Sequence, residues 1–97
     1  MRTFESGQIV ATASIAARIE NDPEFAAGAS EALARHLAGD WGDLDPEDAK
    51  LNDEALEDGS RIMSVYHVKG DKIWIITEAT DNEGRRSATT LLYPSEY

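Results

Sequence analysis

Apolar side chains recur at helical spacing between residues 23 and 39. Phe25, Ala29, Ala32, Leu33 and Leu37 fall on one stripe together with His36, while Glu24 and Glu31 face the other way. Asp22-Pro23 opens this helix with an N-cap and a proline at the first helical position, and Gly39 closes it in the left-handed conformation. A shorter helix over 13–20, capped by Thr12 and carrying Ile15, Ala16 and Ile19, precedes it and follows an extended segment, GQIVAT (7–12). Asp45-Pro46 repeats the start signal, so a third helix is expected over 46–57 with Gly59 at its end. Its apolar face is thin: Leu51, Ala55 and Leu56, with Ala49 at the margin.

From Arg61 onward the period changes to that of strands. RIMSVYHV (61–68), a Lys69-Gly70 turn and IWIITEAT (73–80) form a hairpin, and Asp81–Gly84 turns into a third strand over 85–93 that Pro94 terminates. The expectation is one α+β domain with two to three N-terminal helices followed by a three-stranded antiparallel β-meander.

Ninety-seven residues, 41% of them hydrophobic, support one modest core, and the absence of cysteine excludes disulfides and thiolate chemistry. MRTFESGQIVATAS at the N-terminus has no continuous apolar run and reads as no secretory signal. No stretch approaches the roughly 20 apolar residues of a membrane helix, so a cytoplasmic protein is expected.

Charge changes the picture more than composition does. The net charge is −10, and residues 20–58 alone carry thirteen acids against Arg35 and Lys50, a net of −11. This concentration repels nucleic acid and anionic membranes and attracts a basic protein groove. It is densest over 40–58, where Lys50 is the only base among nine carboxylates. Asp45, Glu47 and Asp48 suit a helix N-terminus. Asp53, Glu54, Glu57 and Asp58 stand at the opposite end, in like-charged i,i+4 pairs that cost a few tenths of a kcal/mol each. Carboxylates so spaced lie roughly 6 Å apart along the axis, a separation comparable to that of phosphates on a nucleic-acid strand. Asp40 and Asp43 extend the charge through the preceding turn. The expected partner-binding set is therefore Asp40, Trp41, Asp43, Asp53, Glu54, Glu57 and Asp58, set against the plainer reading of a solvated helix face. Trp41 likewise reads either as a core anchor of its turn or as an exposed interface aromatic. Trp74, among isoleucines, reads as core.

Other chemistry finds little purchase. Asp43-Leu44-Asp45 and Asp81-Asn82-Glu83-Gly84 are only fragments of a calcium loop, so no metal or cofactor is expected. His36 and His67 each stand alone without a nucleophile or second ligand at informative spacing and read as structural. With no G-x-S-x-G elbow and no glycine-rich phosphate loop, the expected protein is not an enzyme. Lys69, Lys72, Arg85 and Arg86 sit near turns, where they keep sheet edges soluble.

RHLAGDWGDLDPED (35–48), IWIITEA (73–79) and TTLLYPSEY (89–97), with GQIVAT and RIMSVY (61–66), resemble a family of small proteins of bacterial plasmids and other mobile elements. TDNEGRRS (80–87) departs from the tighter turn usual there. The resemblance implies a mobile-element context, in which some small acidic proteins inhibit host defence. Together with the acidic segment it implies a non-catalytic inhibitor of the anti-CRISPR type, a DNA mimic occupying a basic nucleic-acid-binding protein or CRISPR effector subunit without itself binding nucleic acid or membrane. The alternative is an accessory protein-binding module of a mobile element.

Overall fold

The computed structural model describes residues 4–97. Met1, Arg2 and Thr3, part of the N-terminal stretch read above for a signal, lie outside the described residues. The order of elements is β1 (Gln8–Ala11), α1 (Ala13–Asn21), α2 (Pro23–Leu37), α3 (Pro46–Asp58), β2 (Ile62–Val68), β3 (Asp71–Thr77) and β4 (Ala88–Leu92), with a closing 3-10 turn at Pro94–Glu96. The α+β class agrees with the sequence pattern, but the sheet is not a three-stranded meander. It has four strands in the order β1-β4-β3-β2 and is mixed, because β1 pairs parallel to β4. Four residues of QIVA carry no sign of a partner nearly 80 positions away, and the pairing is made by the backbone: Gln8 N–H donates to Ser87 O and Thr12 N–H to Leu91 O, both at 3.0 Å.

The caps lie where their side-chain chemistry predicts. Thr12 Oγ1 accepts from Ile15 N, Asp22 Oδ1 from Glu24 N and Phe25 N, and Asp45 Oδ1 from Asp48 N. Asp22 also binds Lys69 Nζ and Arg18 Nε, and these partners, Lys69 foremost, hold its carboxyl down at about 2. Lys69 and Gly70 both adopt positive φ, the geometry of a tight two-residue hairpin turn.

One face of the sheet carries the helices. Tyr66, Val68, Ile73, Ile75 and Leu91 pack there on Ile15, Phe25, Ala29 and Ala32, while Trp41, Ala55 and Ile62 form a second cluster with Phe4, Leu44 and Leu56 around them. Met63, Trp74, Ile76 and Leu92 point to the other face. Trp74 is thus half-buried on the open face rather than in the helix-covered core, and Tyr97 meets its ring edge-on at 5.4 Å. No helix among the described residues is long and apolar enough to cross a membrane.

Arg86 does not solubilise an edge. It is 6% exposed, and its guanidinium donates to three backbone carbonyls, Ser60 O (2.8 Å), Glu78 O (3.0 Å) and Ala55 O (3.0 Å). It ties the C-terminal end of α3 to the β3–β4 connection, where a cation is favoured by the helix dipole. Burial lowers its pKa, opposed by the nearby charge of Asp58.

A polar seam joins the two clusters. His36 is 0% exposed, with Nδ1 at 2.6 Å from Ser64 Oγ and Nε2 at 2.8 Å from Thr77 Oγ1. Thr77 Oγ1 lies 2.7 Å from Thr89 Oγ1, which donates to Ser6 O. A carbonyl only accepts, so the direction of the whole chain is fixed from that end. Thr77 donates to Thr89, His36 Nε2–H donates to Thr77, and Nδ1 accepts from Ser64. The imidazole is neutral, its pKa pushed down to about 4 by burial.

Acid therefore loads the unfolded chain first. As pH falls from 6.5 toward 4, unfolded His36 takes up a proton that the folded protein refuses, and about 3 kcal/mol of stability is lost in that window. Asp22 acts lower, losing its contribution as pH falls from its ordinary 3.8 toward 2. Urea unfolding at intervals from pH 7 to 4 should show the histidine slope, and His36→Gln should flatten it. An equal slope in the variant would refute the assignment.

Candidate functional site

The acidic segment lies along the β2 edge of the sheet, and the pairing there decides what each carboxylate does. β2 has a sheet neighbour on one side only. On the other side Val65 N–H donates to Trp41 O (3.3 Å) and Asp43 N–H to Val65 O (2.7 Å), so the turn before α3 adds a short parallel bridge. Gly42 permits this approach. Its φ is +73°, and a Cβ there would stand 2.0 Å from Val65 O. Tyr66 Oη donates to Asp40 O at 2.6 Å and fixes the start of the turn.

One position further along the edge, α3 takes over. Asn52 Nδ2 donates to Met63 O (2.7 Å), and Met63 N–H donates to Asn52 Oδ1 (3.2 Å). The side-chain amide thus pairs with the strand much as a neighbouring peptide would. This corrects the expected apolar face of α3. Asn52 and Ala55 are buried and Ala49 and Leu56 partly so, whereas Leu51 is 61% exposed. The buried arc is centred on a polar residue, so a reading by hydrophobicity alone rotates the helix.

Trp41 is 6% exposed, which settles its two readings in favour of the core anchor and removes it as an exposed interface aromatic. Its ring packs beside Phe4 and His36, and Nε1 donates to Asp53 Oδ1 at 2.9 Å. Asp53 is therefore spoken for by the fold. Asp40 takes a bidentate grip from Arg35 (Nε 2.8 Å, Nη2 3.2 Å), which lowers its pKa, and Arg35 lies over the Tyr66 ring. Asp43 Oδ2 is 3.0 Å from His67 Nε2 in an exposed pair. Asp58 accepts from Ser60 N at 2.8 Å, and hydrogen bonds from Ser60 lower its pKa.

Glu54 and Glu57 are exposed, with no ion pair among the described residues, and the same is true of Glu47 and Asp48. Capping explains Asp45, but the side chains of Glu47 and Asp48 project into solvent. Glu47 and Asp48 occupy the first turn of α3, as their helix N-terminal placement predicts, and with Leu51, expected inside, they belong to the exposed α3 surface. The signal available was the helix wheel, on which Leu51 has Glu47, Asp48 and Glu54 at i−4, i−3 and i+3.

His36 and Ser64 have the separation of a base and a nucleophile, but both are 0% exposed, and their donors and acceptors are spent within the seam. Among the described residues no group of three His, Asp or Glu side chains has a metal-binding arrangement.

Asn52→Ala should cost about 2–3 kcal/mol, because it strands the N–H and C=O of Met63 at the edge. Leu51→Ala, one position away, should stay within about 0.5 kcal/mol. Urea unfolding of both variants checks the pair, and a reversed order would refute the edge pairing.

No protein-family model, no curated protein and no solved structure matches this chain.

Proposed function

We propose that the chain is a non-catalytic inhibitor that lays the exposed face of α3 into a basic nucleic-acid-binding surface of a bacterial defence complex, most concretely a CRISPR effector. The observation that carries this reading is that Glu47, Asp48, Glu54 and Glu57 share the exposed α3 surface without an ion-pair partner among the described residues. Four such surface carboxylates can replace phosphates against lysine and arginine. The resemblance to mobile-element proteins supports the choice of target class. The neighbouring Asp40, Asp43 and Asp58 add to the same negative field while holding local structure.

A rigid mimic needs its charges mounted on a fixed frame. The frame here is the docked turn, Asn52 on Met63, and Arg86 at the C-terminal end of α3. Asp53 belongs to the frame rather than the contact surface, since reversing it would oppose the Trp41 N–H.

The test is a triple reversal, Glu47→Lys, Glu54→Lys and Glu57→Lys, which spares every hydrogen bond described above. Purified CRISPR effectors are assayed for DNA binding with the native chain and with the variant, at about 50 and 200 mM salt. The native chain should block DNA binding by an effector, more strongly at low salt. The variant should unfold cooperatively within a few degrees of the native melting temperature, lower net charge offsetting the lysines at the α3 N-terminus and beside Lys50. It should lose at least about tenfold in potency. Undiminished inhibition by the variant, or no inhibition of any effector by the native chain, would end this reading.

A further inference from the structure

Beside β2 the surface of α3 is not uniformly charged. Leu44, Asp48, Leu51, Asn52, Arg61 and Met63 line an open groove of about 240 Å³ between the helix and the outer side of the strand. Leu44, Leu51 and Met63 give it an apolar lining. The Asn52 amide is engaged with the Met63 backbone, and Arg61 is drawn toward Tyr97, over whose ring it lies and to whose hydroxyl it donates. A single exposed leucine needs no explanation. A leucine that walls a groove is a different object: here Asp48 lines the helix side and Arg61 the strand side, and Glu47 and Glu54 stand one helical turn from Leu51.

We propose that this groove seats one apolar side chain carried on a basic amphipathic helix of a protein partner. The charge selects the partner. Nucleic acid and anionic lipid are repelled by the carboxylates of α3. A leucine-sized knob flanked by lysine or arginine instead meets apolar lining at its tip and Glu47, Asp48 and Glu54 on the helix side, with Arg61 held toward Tyr97 on the other. The edge selects the helix. An extended peptide would need free N–H and C=O groups on β2, and those of Val65 and Met63 are already taken by Trp41, Asp43 and Asn52. Methionine at the groove wall lets the lining adapt to the incoming side chain.

The inference rests on the reading that the α3 face meets a basic protein surface, and it adds the anchor that makes such a contact specific. Charge alone fixes rate and salt dependence; a buried apolar anchor fixes register and lengthens residence.

Two synthetic helices of about 18 residues serve as probes, identical in lysine and arginine and differing only in leucine or serine along the other face. Each is titrated into the intact, isotope-labelled protein and followed by the methyl resonances of Leu44, Leu51 and Met63. The leucine helix should shift all three and bind about tenfold tighter than the serine helix. Leu51→Ser, which leaves a half-open site and should not alter the melting temperature, should erase that preference while keeping the salt-sensitive binding of the serine helix. Equal affinity of the two helices, or a preference that survives Leu51→Ser, overturns the groove as an anchor and leaves the acidic-face reading intact. Failure of both helices to bind overturns the groove and the basic-partner reading together.

Discussion

A strand at the margin of a sheet exposes a row of N–H and C=O groups that invite pairing, and a protein has to answer that invitation somehow. Here β2 is answered by the acidic segment itself. The turn at Trp41–Asp43 supplies one bridge and the Asn52 side chain supplies the next, so α3 is held to the sheet through backbone groups rather than through a wide apolar face. Everything else about the acidic surface depends on this arrangement. It sets the rotation of the helix, buries Trp41, sends Leu51 outward and determines which carboxylates are consumed. With so few apolar residues on α3, the hydrogen-bonded edge and the three-carbonyl grip of Arg86 hold the helix in place at its middle and its end.

The hydroxyl–imidazole seam works on the same problem from inside. Ser64 and Thr77 point from β2 and β3 into the helix-covered side, where a purely apolar core would leave them unpaired. His36 satisfies both, and Thr89 passes the remaining hydrogen to Ser6 O, so the N-terminal segment leading into β1 is tied to the same line. Among the described residues no buried side-chain polar atom is left without a partner. A fully satisfied buried network rigidifies the packing around it. That rigidity reaches Trp41, whose ring meets His36 edge-on, and through Trp41 it reaches Asp53 and α3.

The helices were legible in the sequence because caps are local chemistry. Thr12, Asp22 and Asp45 each bond to an N–H within three residues, and a proline follows Asp22 and Asp45. The β2–β3 hairpin was legible for the same reason, since Lys69-Gly70 fixes the turn and alternation fixes the faces. What the sequence concealed is non-local. The parallel partner of β1, the burial of Arg86 among carbonyls and the inward turn of Asn52 are all contacts to the backbone of distant residues. A backbone presents the same groups whatever its side chains, so no residue pattern announces such a contact. For the candidate site, the acidic concentration was visible, but its division into used and unused charge was not, because that division is made by Trp41, Arg35, His67 and Ser60 from outside the helix.

That division bears on why the charge is there. Asp22, Asp45, Asp53 and Asp58 each accept a hydrogen bond that the fold requires, and neutralising any of them has a structural consequence. Glu47, Asp48, Glu54 and Glu57 accept no such hydrogen bond; Glu47 and Asp48 are favoured by the N-terminal end of α3, whereas Glu54 and Glu57, at i,i+3 toward its C-terminal end, oppose folding weakly. Lysine at two of these positions would relieve the repulsion and would still keep the surface polar. Solubility therefore does not account for the pattern by itself. These carboxylates also have a definite place: three of the four stand one helical turn from Leu51, and one of them, Asp48, lines the groove between α3 and β2. A solvated face distributes its charge without regard to an apolar neighbour. A helix that places negative charge around an exposed leucine, pinned to a strand edge, supports the proposed contact with a partner that is positive and partly apolar.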